Sequence, residues 1–311
     1  MRVVIAGGAG FLGSHLADLH VARGDDVVIL DDFSTGTAEN VSHLAETGGV
    51  EIIEADVSHD VPVSGPVGRV YNLASPASPP AYLERPLETL AVGSEGTRLL
   101  LELADAHGAR FVMASTSEIY GDPEVHPQVE SYRGNVDPHG PRSVYDEAKR
   151  FSESITMAYH RARGTDIGIA RIFNTYGPRL SAGDGRVVSN FIVQALTGEP
   201  LTIYGDGSQT RSLCFVADLV AGLMALGDAT TLGPVNLGNP DERSVAEIAD
   251  AIVMLTGSSS SLIHMPLPTD DPTRRCPDIT RAKSELGWEP AVSTNDGLVI
   301  TIDHFRRVLG L

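Results

Sequence analysis

An α/β fold is predicted for this chain: a Rossmann-type doubly wound parallel sheet with a smaller, interleaved C-terminal substrate-binding lobe. Three observations predict it. Short β-branched runs alternate with helical stretches through the first half, a glycine loop joins the first run to the first helix, and sequence rich in Gly, Pro and polar residues takes over from Asn174 to Arg211. Near-continuous apolar strands separated by helices belong to parallel sheets covered on both faces.

The elements follow in order. Arg2–Ala6 is the first strand, and Phe11–Arg23 carries Leu12, Leu16 and Leu19 at helical spacing. Asp26–Leu30, Val50–Glu54, Arg69–Leu73 and Arg110–Ala114 read as further strands, with Pro86–His107 among the helices between them. A long helix at Ser143–Arg163 precedes a strand at Asp166–Ile172. Beyond Asn174 come a helix at Val187–Thr197, a short strand at Leu201–Tyr204, a helix at Val216–Leu226 and one more sheet strand at Pro234–Leu237. Ser244–Thr256, Thr280–Leu286 and Asn295–Leu309 close the chain as helices. There is no internal repeat. The pattern divides into a dinucleotide-binding domain over 1–174 and 211–238 and a substrate lobe over 175–210 and 239–311.

Composition narrows the function class. At 311 residues, 42% hydrophobic and 21% charged, the chain can bury a substantial core without staples and is not a disordered segment. Its net charge of −18 argues against a nucleic-acid or acidic-membrane partner, both of which need a basic face. No apolar run approaches the roughly 18 residues of a membrane span. Glycines at 7, 8 and 10 interrupt the N-terminal apolar stretch, which reads as a buried strand and not as a signal peptide. Cys214 and Cys276 cannot build a disulfide framework, which fits a reducing, cytoplasmic compartment. The histidines and cysteines show no metal-ligand spacing, so no metal is expected. Among the basic residues only Lys149 and Lys283 are lysine.

The segment Val3-Val4-Ile5-Ala6-Gly7-Gly8-Ala9-Gly10-Phe11-Leu12-Gly13 is a strand, a glycine turn and a helix start. It satisfies both G-x-x-G-x-x-G (Gly7, Gly10, Gly13) and G-x-G-x-x-G (Gly8, Gly10, Gly13). Such a turn needs positive φ, close backbone approach to a pyrophosphate and tight helix–strand packing, while the helix N-terminus offers free N–H groups to phosphate. Asp31 ends the second strand, where a carboxylate accepts from ribose hydroxyls and repels a 2′-phosphate. That favours NAD over NADP, with the adjacent Asp32 a rival for the role.

Tyr145 and Lys149 lie four apart on one helix and so share a face. A chance Y-x-x-x-K occurs roughly 0.05 times in a chain with so few tyrosines and lysines. An ammonium beside a phenol favours the phenolate, which then serves as general base toward an alcohol; lowering a phenol by roughly 3 pH units takes about 4 kcal/mol. Lysine in an arginine-dominated chain suggests that a compact ammonium is needed there. At the end of the fifth strand, Ser115-Thr116-Ser117-Glu118 gathers hydroxyls and a carboxylate where doubly wound folds bind ligands. A hydroxyl there can relay the alcohol proton to Tyr145, and Glu118 can act as acid or base or hold a sugar ring.

Together, the glycine loop, the Ser-Thr-Ser-Glu cluster and Tyr145-x-x-x-Lys149 resemble the extended short-chain dehydrogenase/reductases that modify nucleotide sugars. Longer strings resemble the UDP-glucuronate decarboxylase branch. They include Asn72-Leu73-Ala74-Ser75-Pro76, Gly121-Asp122-Pro123-Glu124-Val125-His126-Pro127-Gln128, Arg171-Ile172-Phe173-Asn174-Thr175-Tyr176-Gly177-Pro178-Arg179, Asp184-Gly185-Arg186-Val187-Val188 and Asp270-Asp271-Pro272. The resemblance implies NAD-dependent oxidation at sugar C4, loss of carbon dioxide and reduction to UDP-xylose, by a homodimer paired through helices Pro86–His107 and Ser143–Arg163. It implies catalytic roles for Tyr145, Lys149, Thr116, Ser117 and Glu118. It implies NAD contacts from Gly7, Gly10, Phe11, Leu12, Gly13, Asp31, Asp32, Phe33, Ser34, Thr35, Gly36, Asp56, Val57, Leu73, Ala74, Ser75 and Arg171, as well as from Tyr145 and Lys149. Asn174, Thr175, Arg186, Val188, Tyr204, Gln209 and Arg211 are implied for the UDP moiety, and Arg275 for the sugar end.

The related 4,6-dehydratases carry Thr-Asp-Glu where this chain has Thr116-Ser117-Glu118, and related 4-epimerases usually have a small residue in place of Glu118, so decarboxylation is favoured over both. A UDP-hexuronate 4-epimerase and a catalytically silent NAD(H)-binding regulator are the alternatives. The chain departs from the branch at Ala6 and Ala81, and at Ala91-Val92-Gly93, where a lysine and two polar residues are usual. That loss beside the nicotinamide implies some escape of the UDP-4-keto-pentose intermediate.

Overall fold

A computed structural model describes residues 1–267 and 273–311; Asp270-Asp271-Pro272 lies outside the described residues. Seven parallel strands form the central sheet: β1 (Arg2–Ala6), β2 (Asp26–Asp31), β3 (Val50–Glu54), β4 (Arg69–Asn72), β5 (Arg110–Thr116), β6 (Ile167–Ile172) and β7 (Pro234–Leu237). Their spatial order is β3-β2-β1-β4-β5-β6-β7, all in parallel register. The order reverses between β1 and β4, and a crevice opens beyond their carboxyl ends, where doubly wound sheets take ligands.

Alternate residues of each strand feed opposite faces. Val3 and Ile5 of β1 pack with Leu16 of helix α1 (Phe11–Ala22), while Val4 and Ala6 belong to the other face with Leu100 and Leu101 of α2 (Thr97–His107). Helix α3 (Ser143–Arg163) lies beside α2. The first face also holds α5 (Val216–Asp228), and its apolar core continues without a break into α4 (Val187–Thr197), α6 (Val245–Thr256) and α7 (Thr294–Leu309) through Phe191, Ile252, Leu298 and Phe305.

Several elements differ from the sequence reading. The predicted helix Pro86–His107 is interrupted by a wide π turn at Val92–Gly96. Gly93 there lies against α3, where a Cβ would stand 2.7 Å from that of Ala148, and its carbonyl accepts from Ser152 Oγ at 2.6 Å. The helix opens so that its backbone can meet α3, a tertiary contact that periodicity does not register. The stretch Thr280–Leu286 likewise ends as a π turn, Ala282–Leu286. β5 runs on to Thr116 because Ser115 and Thr116 pair with Arg171 and Ile172 of β6. The strand pairs Thr175–Tyr176 with Cys214–Phe215 and Thr210–Ser212 with Glu242–Ser244 are too short to carry a period.

Candidate active site

One cavity of about 1470 Å³ follows the carboxyl ends of the strands and is lined by residues from both halves of the chain. A single small ligand commonly occupies roughly 300–1,000 Å³, so this one has room for a cofactor and a substrate together.

Its first arm is the glycine turn. Gly7, Gly10, Phe11, Leu12 and Gly13 line it, whereas Gly8 does not and packs against the Ile29 side chain, so the G-x-x-G-x-x-G register is the one that faces the cavity. Gly7 has φ +74°, and a Cβ there would come within 2.7 Å of the Leu73 backbone; a Cβ on Gly13 would strike the Gly7 carbonyl. Gly10 caps α1 with no side-chain hydrogen bond, which leaves the first-turn N–H groups to a ligand. Asp31 closes β2 with a buried carboxylate that accepts from Ala9 N and Phe33 N, both at 2.9 Å. Burial pushes this carboxyl up while those two bonds hold it down. A carboxylate accepts about four hydrogen bonds, so capacity for a ribose diol remains. Asp32, Ser34, Thr35, Asp56, Val57, Leu73, Ala74 and Ser75 line the same arm. The donors and the cradle fit a dinucleotide. Phe33 and Gly36 lie outside the lining: the first donates its backbone N–H to Asp31, and a Cβ on the second would meet the Asp31 carboxylate at 2.8 Å.

Helix α3 presents Tyr145 and Lys149 to the middle of the cavity. The Tyr145 ring stacks on Tyr82 at 5.2 Å with planes 8° apart. Lys149 Nζ donates to the Ala114 carbonyl at 3.0 Å and stands 5.8 Å from the Tyr145 ring centre. Burial lowers Lys149 to about 8 and pushes the Tyr145 phenol well above its ordinary value, against a hydrogen bond with Thr116. The folded pair therefore corrects the expectation that the ammonium by itself acidifies the phenol. Both charged forms are desolvated, and the nearest partner of the ammonium is a carbonyl.

Thr116 ends β5 and its hydroxyl accepts from Glu118 N at 3.1 Å, capping the turn Ser117–Tyr120. The Glu118 carboxylate lies between two guanidiniums, accepting from Arg142 Nη2 at 2.7 Å and pairing with Arg275 Nη1 at 2.7 Å. Arg275, 2% exposed, also donates to Ser117 Oγ at 3.0 Å. Burial alone would raise the Glu118 carboxyl, but Arg275 and then Arg142 outweigh it and hold Glu118 at about 2.

The second arm gathers Asn174, Thr175, Arg186, Tyr204, Gln209, Arg211 and Arg275. Arg186 is ion-paired with Asp184, and Gln209 Nε2 donates to the Tyr204 carbonyl at 2.6 Å. Two more residues singled out from the sequence, besides Phe33 and Gly36, lie outside the lining. Val188, in the first turn of α4, is buried in the apolar core. Arg171 is clamped by Glu153 at 2.9 and 2.8 Å and donates to the Tyr120 hydroxyl at 3.0 Å, so it braces β6 and is not part of the cavity wall. Sequence reasoning missed Tyr82, Arg142 and Asp184, all in the lining. Among the described residues no group of three or more His, Cys, Asp or Glu could hold a metal, and no helix is long and apolar enough to cross a membrane.

Comparison with known proteins places these features in context. Residues 3–238 match the NAD dependent epimerase/dehydratase family. UDP-glucuronic acid decarboxylase 2 of Arabidopsis thaliana is 52% identical over 311 residues, covering 100% of this chain and 69% of that protein. UDP-glucuronic acid decarboxylase 1 of Xenopus tropicalis is 50% identical over 308 residues, covering 99% and 73%. Among solved structures, UDP-glucuronic acid 4-epimerase from Bacillus cereus, in complex with UDP-glucuronic acid and NAD, superposes with a TM-score of 0.86 at 26% identity over 99% of this chain and 100% of that one.

Proposed function

The chain belongs to the NAD dependent epimerase/dehydratase family, and we propose that within it the chain is an NAD-dependent UDP-glucuronate decarboxylase that forms UDP-xylose. The observation that carries this reading is identity of about half its residues, over essentially the whole chain, to proteins named for that activity. When bound, NAD supplies a reversible hydride acceptor for sugar C4. Residues 1–174 and 211–238 form its domain: the α1 N-terminus and Gly7, Gly10 and Gly13 receive the pyrophosphate, and Asp31 receives the ribose and disfavours a 2′-phosphate.

The chain's own groups do the rest. Asn174, Thr175, Arg186, Tyr204, Gln209 and Arg211 hold the uridine diphosphate, and Arg275 turns its fork to the sugar carboxylate. Thr116 hydrogen-bonds the C4 hydroxyl and Tyr145 takes its proton. Lys149, an ammonium below about pH 8, faces the phenolate so formed. With a ketone at C4 the sugar is a β-keto acid: the bond from C5 to its carboxylate breaks, carbon dioxide leaves, the bonding pair becomes the C4 enolate, and a proton from solvent water takes the vacated position on C5. Ser117 and Glu118 fix the ring so that the breaking bond stays aligned with the carbonyl π system. Hydride return to C4 then regenerates the alcohol, with Tyr145 giving its proton back to the C4 oxygen.

Exposed Leu83, Leu87, Leu90 and Phe151 on Pro79–Glu84, Pro86–Ala91 and α3 support a homodimer closed by these helices. Buried free thiols at Cys214 and Cys276 suit a cytoplasmic setting. The test is incubation of the purified protein with UDP-glucuronate, with carbon dioxide and nucleotide-sugar products both quantified. Carbon dioxide with UDP-xylose is expected. The C4 epimer without carbon dioxide would transfer the reading to an epimerase, and no product with no nicotinamide absorbance change would leave only a binding protein.

A further inference from the structure

Arg142 is the first residue before α3, its N-cap. A cation is poorly placed there, because the N-terminus is the positive end of the helix dipole and its free N–H groups want an acceptor. Arg142 makes no side-chain cap; its guanidinium instead reaches Glu118 at 2.7 Å. A residue that breaks a local rule at the wall of a site calls for a compensating role.

The geometry around Glu118 supplies one. Its two oxygens are divided, Oε1 to Arg275 and Oε2 to Arg142. Arg275 is also the deeply buried guanidinium beside Ser117, and a substrate carboxylate entering the sugar end competes with Glu118 for it. Arg142 reaches the other oxygen of the carboxylate from the start of α3.

We propose that Arg142 is a positioning residue: it retains Glu118, ionised and in place, when the substrate carboxylate draws Arg275 away. The inference rests on the decarboxylase reading for the identity of that competing anion. Without Arg142, Glu118 would be left beside Tyr82, Tyr145 and Asp146, none of them a cation, with Arg275 diverted and Arg186 engaged by Asp184. Asp146 would then act against it: this carboxyl has Oδ1 unpartnered and is pushed up to about 7, first by burial and then by the Glu118 charge. Glu118 would lose a charge-assisted bond and become free to turn away from the ring, and it would take up a proton at a higher pH than in the parent.

The test is a cycle in the full-length, NAD-loaded protein: Arg142→Gln, Arg142→Lys, Glu118→Gln and the Arg142→Gln/Glu118→Gln double variant. In Arg142→Gln, kcat/KM for UDP-glucuronate falls about ten- to a hundredfold near neutral pH, the size of one lost hydrogen bond to a charged group. Removing a cation raises a carboxyl pKa, so an acid limb absent from the parent enters at about pH 4–6. Arg142→Lys keeps a cation and keeps the parent profile. In the double variant the Arg142 change adds nothing to Glu118→Gln, because its effect runs through that carboxylate. A parent-like pH profile in Arg142→Gln, or losses that multiply in the double variant, overturns the proposal. If Arg142→Gln does not fold, the same cycle with Arg142→Met, which also removes the cation, decides by the same non-additivity. Calorimetric affinities for UDP-glucuronate and for UDP separate the two readings. A parent that binds the acid but releases no carbon dioxide sinks the decarboxylase assignment, while a pH-dependent loss confined to UDP-glucuronate affinity in Arg142→Gln still upholds Arg142.

Discussion

Lys149→Met should make this protein more stable near pH 7 while removing its activity. Lys149 is buried, and burial brings its ammonium from 10.5 to about 8. At about 1.36 kcal/mol per pH unit, holding it charged at neutral pH costs the fold about 3 kcal/mol. The sign follows from the protons. Between about pH 8 and 10.5 the unfolded chain keeps a proton that the folded chain releases, so stability rises with pH there, and the cost is fully present below the folded value. From pH 7 to pH 10 this group alone should return about 2.5 kcal/mol to the parent and nothing to the variant. The methionine fills a similar length but leaves the Ala114 carbonyl without its 3.0 Å donor, a loss of about 1 kcal/mol that does not depend on pH. Urea unfolding of both proteins at pH 7 and pH 10 isolates the effect, because every other titration cancels in the difference. Curves separated by the same free energy at both pH values would refute the reasoning. Turnover in the parent should decline on the alkaline side near pH 8, as Lys149 loses its charge.

Four further outcomes are expected. Tyr145→Phe keeps the stack on Tyr82 and hence the melting temperature, but lowers kcat by about 10²–10⁴, which single-turnover kinetics would read. Arg211→Ala raises the KM for the UDP-sugar with NAD binding intact; an unchanged KM removes Arg211 from the site. Chromatography of a time course should show UDP-4-keto-pentose beside UDP-xylose, because the apolar Val92 lines the cavity and offers no polar atom to hold the intermediate; UDP-xylose alone refutes this. Leu87→Glu combined with Phe151→Glu places charges on two exposed apolar positions and should yield monomers by analytical ultracentrifugation.

The sheet was legible because its physics is local. A buried strand shows as a continuous β-branched run, and the glycine turn shows as composition at fixed spacing, so β1, β2 and β3 begin where the sequence reading begins them. Tyr145 and Lys149 were legible for the same reason, since helical spacing alone puts them on one face. What escaped depends on contacts distant in sequence. The π turn at Val92–Gly96 exists because Gly93 meets Ala148, and nothing near Gly93 announces that meeting. Arg171 has the residue type of a phosphate ligand, but Glu153 on the neighbouring helix claims its fork. Arg142 could have been found, since an arginine immediately before a long helical pattern is a local anomaly with a stated electrostatic cost.

The acidity of the chain and the acidity of its proposed substrate look incompatible until the arginines are followed to their partners. Arg142, Arg179, Arg186, Arg211 and Arg275 all line the cavity of a protein with net charge −18. Arg186 is held by Asp184, Arg179 by Asp18 and Arg275 by Glu118, so these guanidiniums are fixed before a ligand arrives. Pairing lowers the cost of burying a cation, and orientation spares a ligand the entropy of ordering it. The field at the mouth is therefore set by a few fixed forks at short range, where low-dielectric walls preserve their effect. The diffuse negative surface lies farther away and is screened beyond roughly 8 Å at physiological salt. It follows that added salt should weaken capture of the dianionic diphosphate only modestly, because the contacts that select it are inside the cavity and not on the surface.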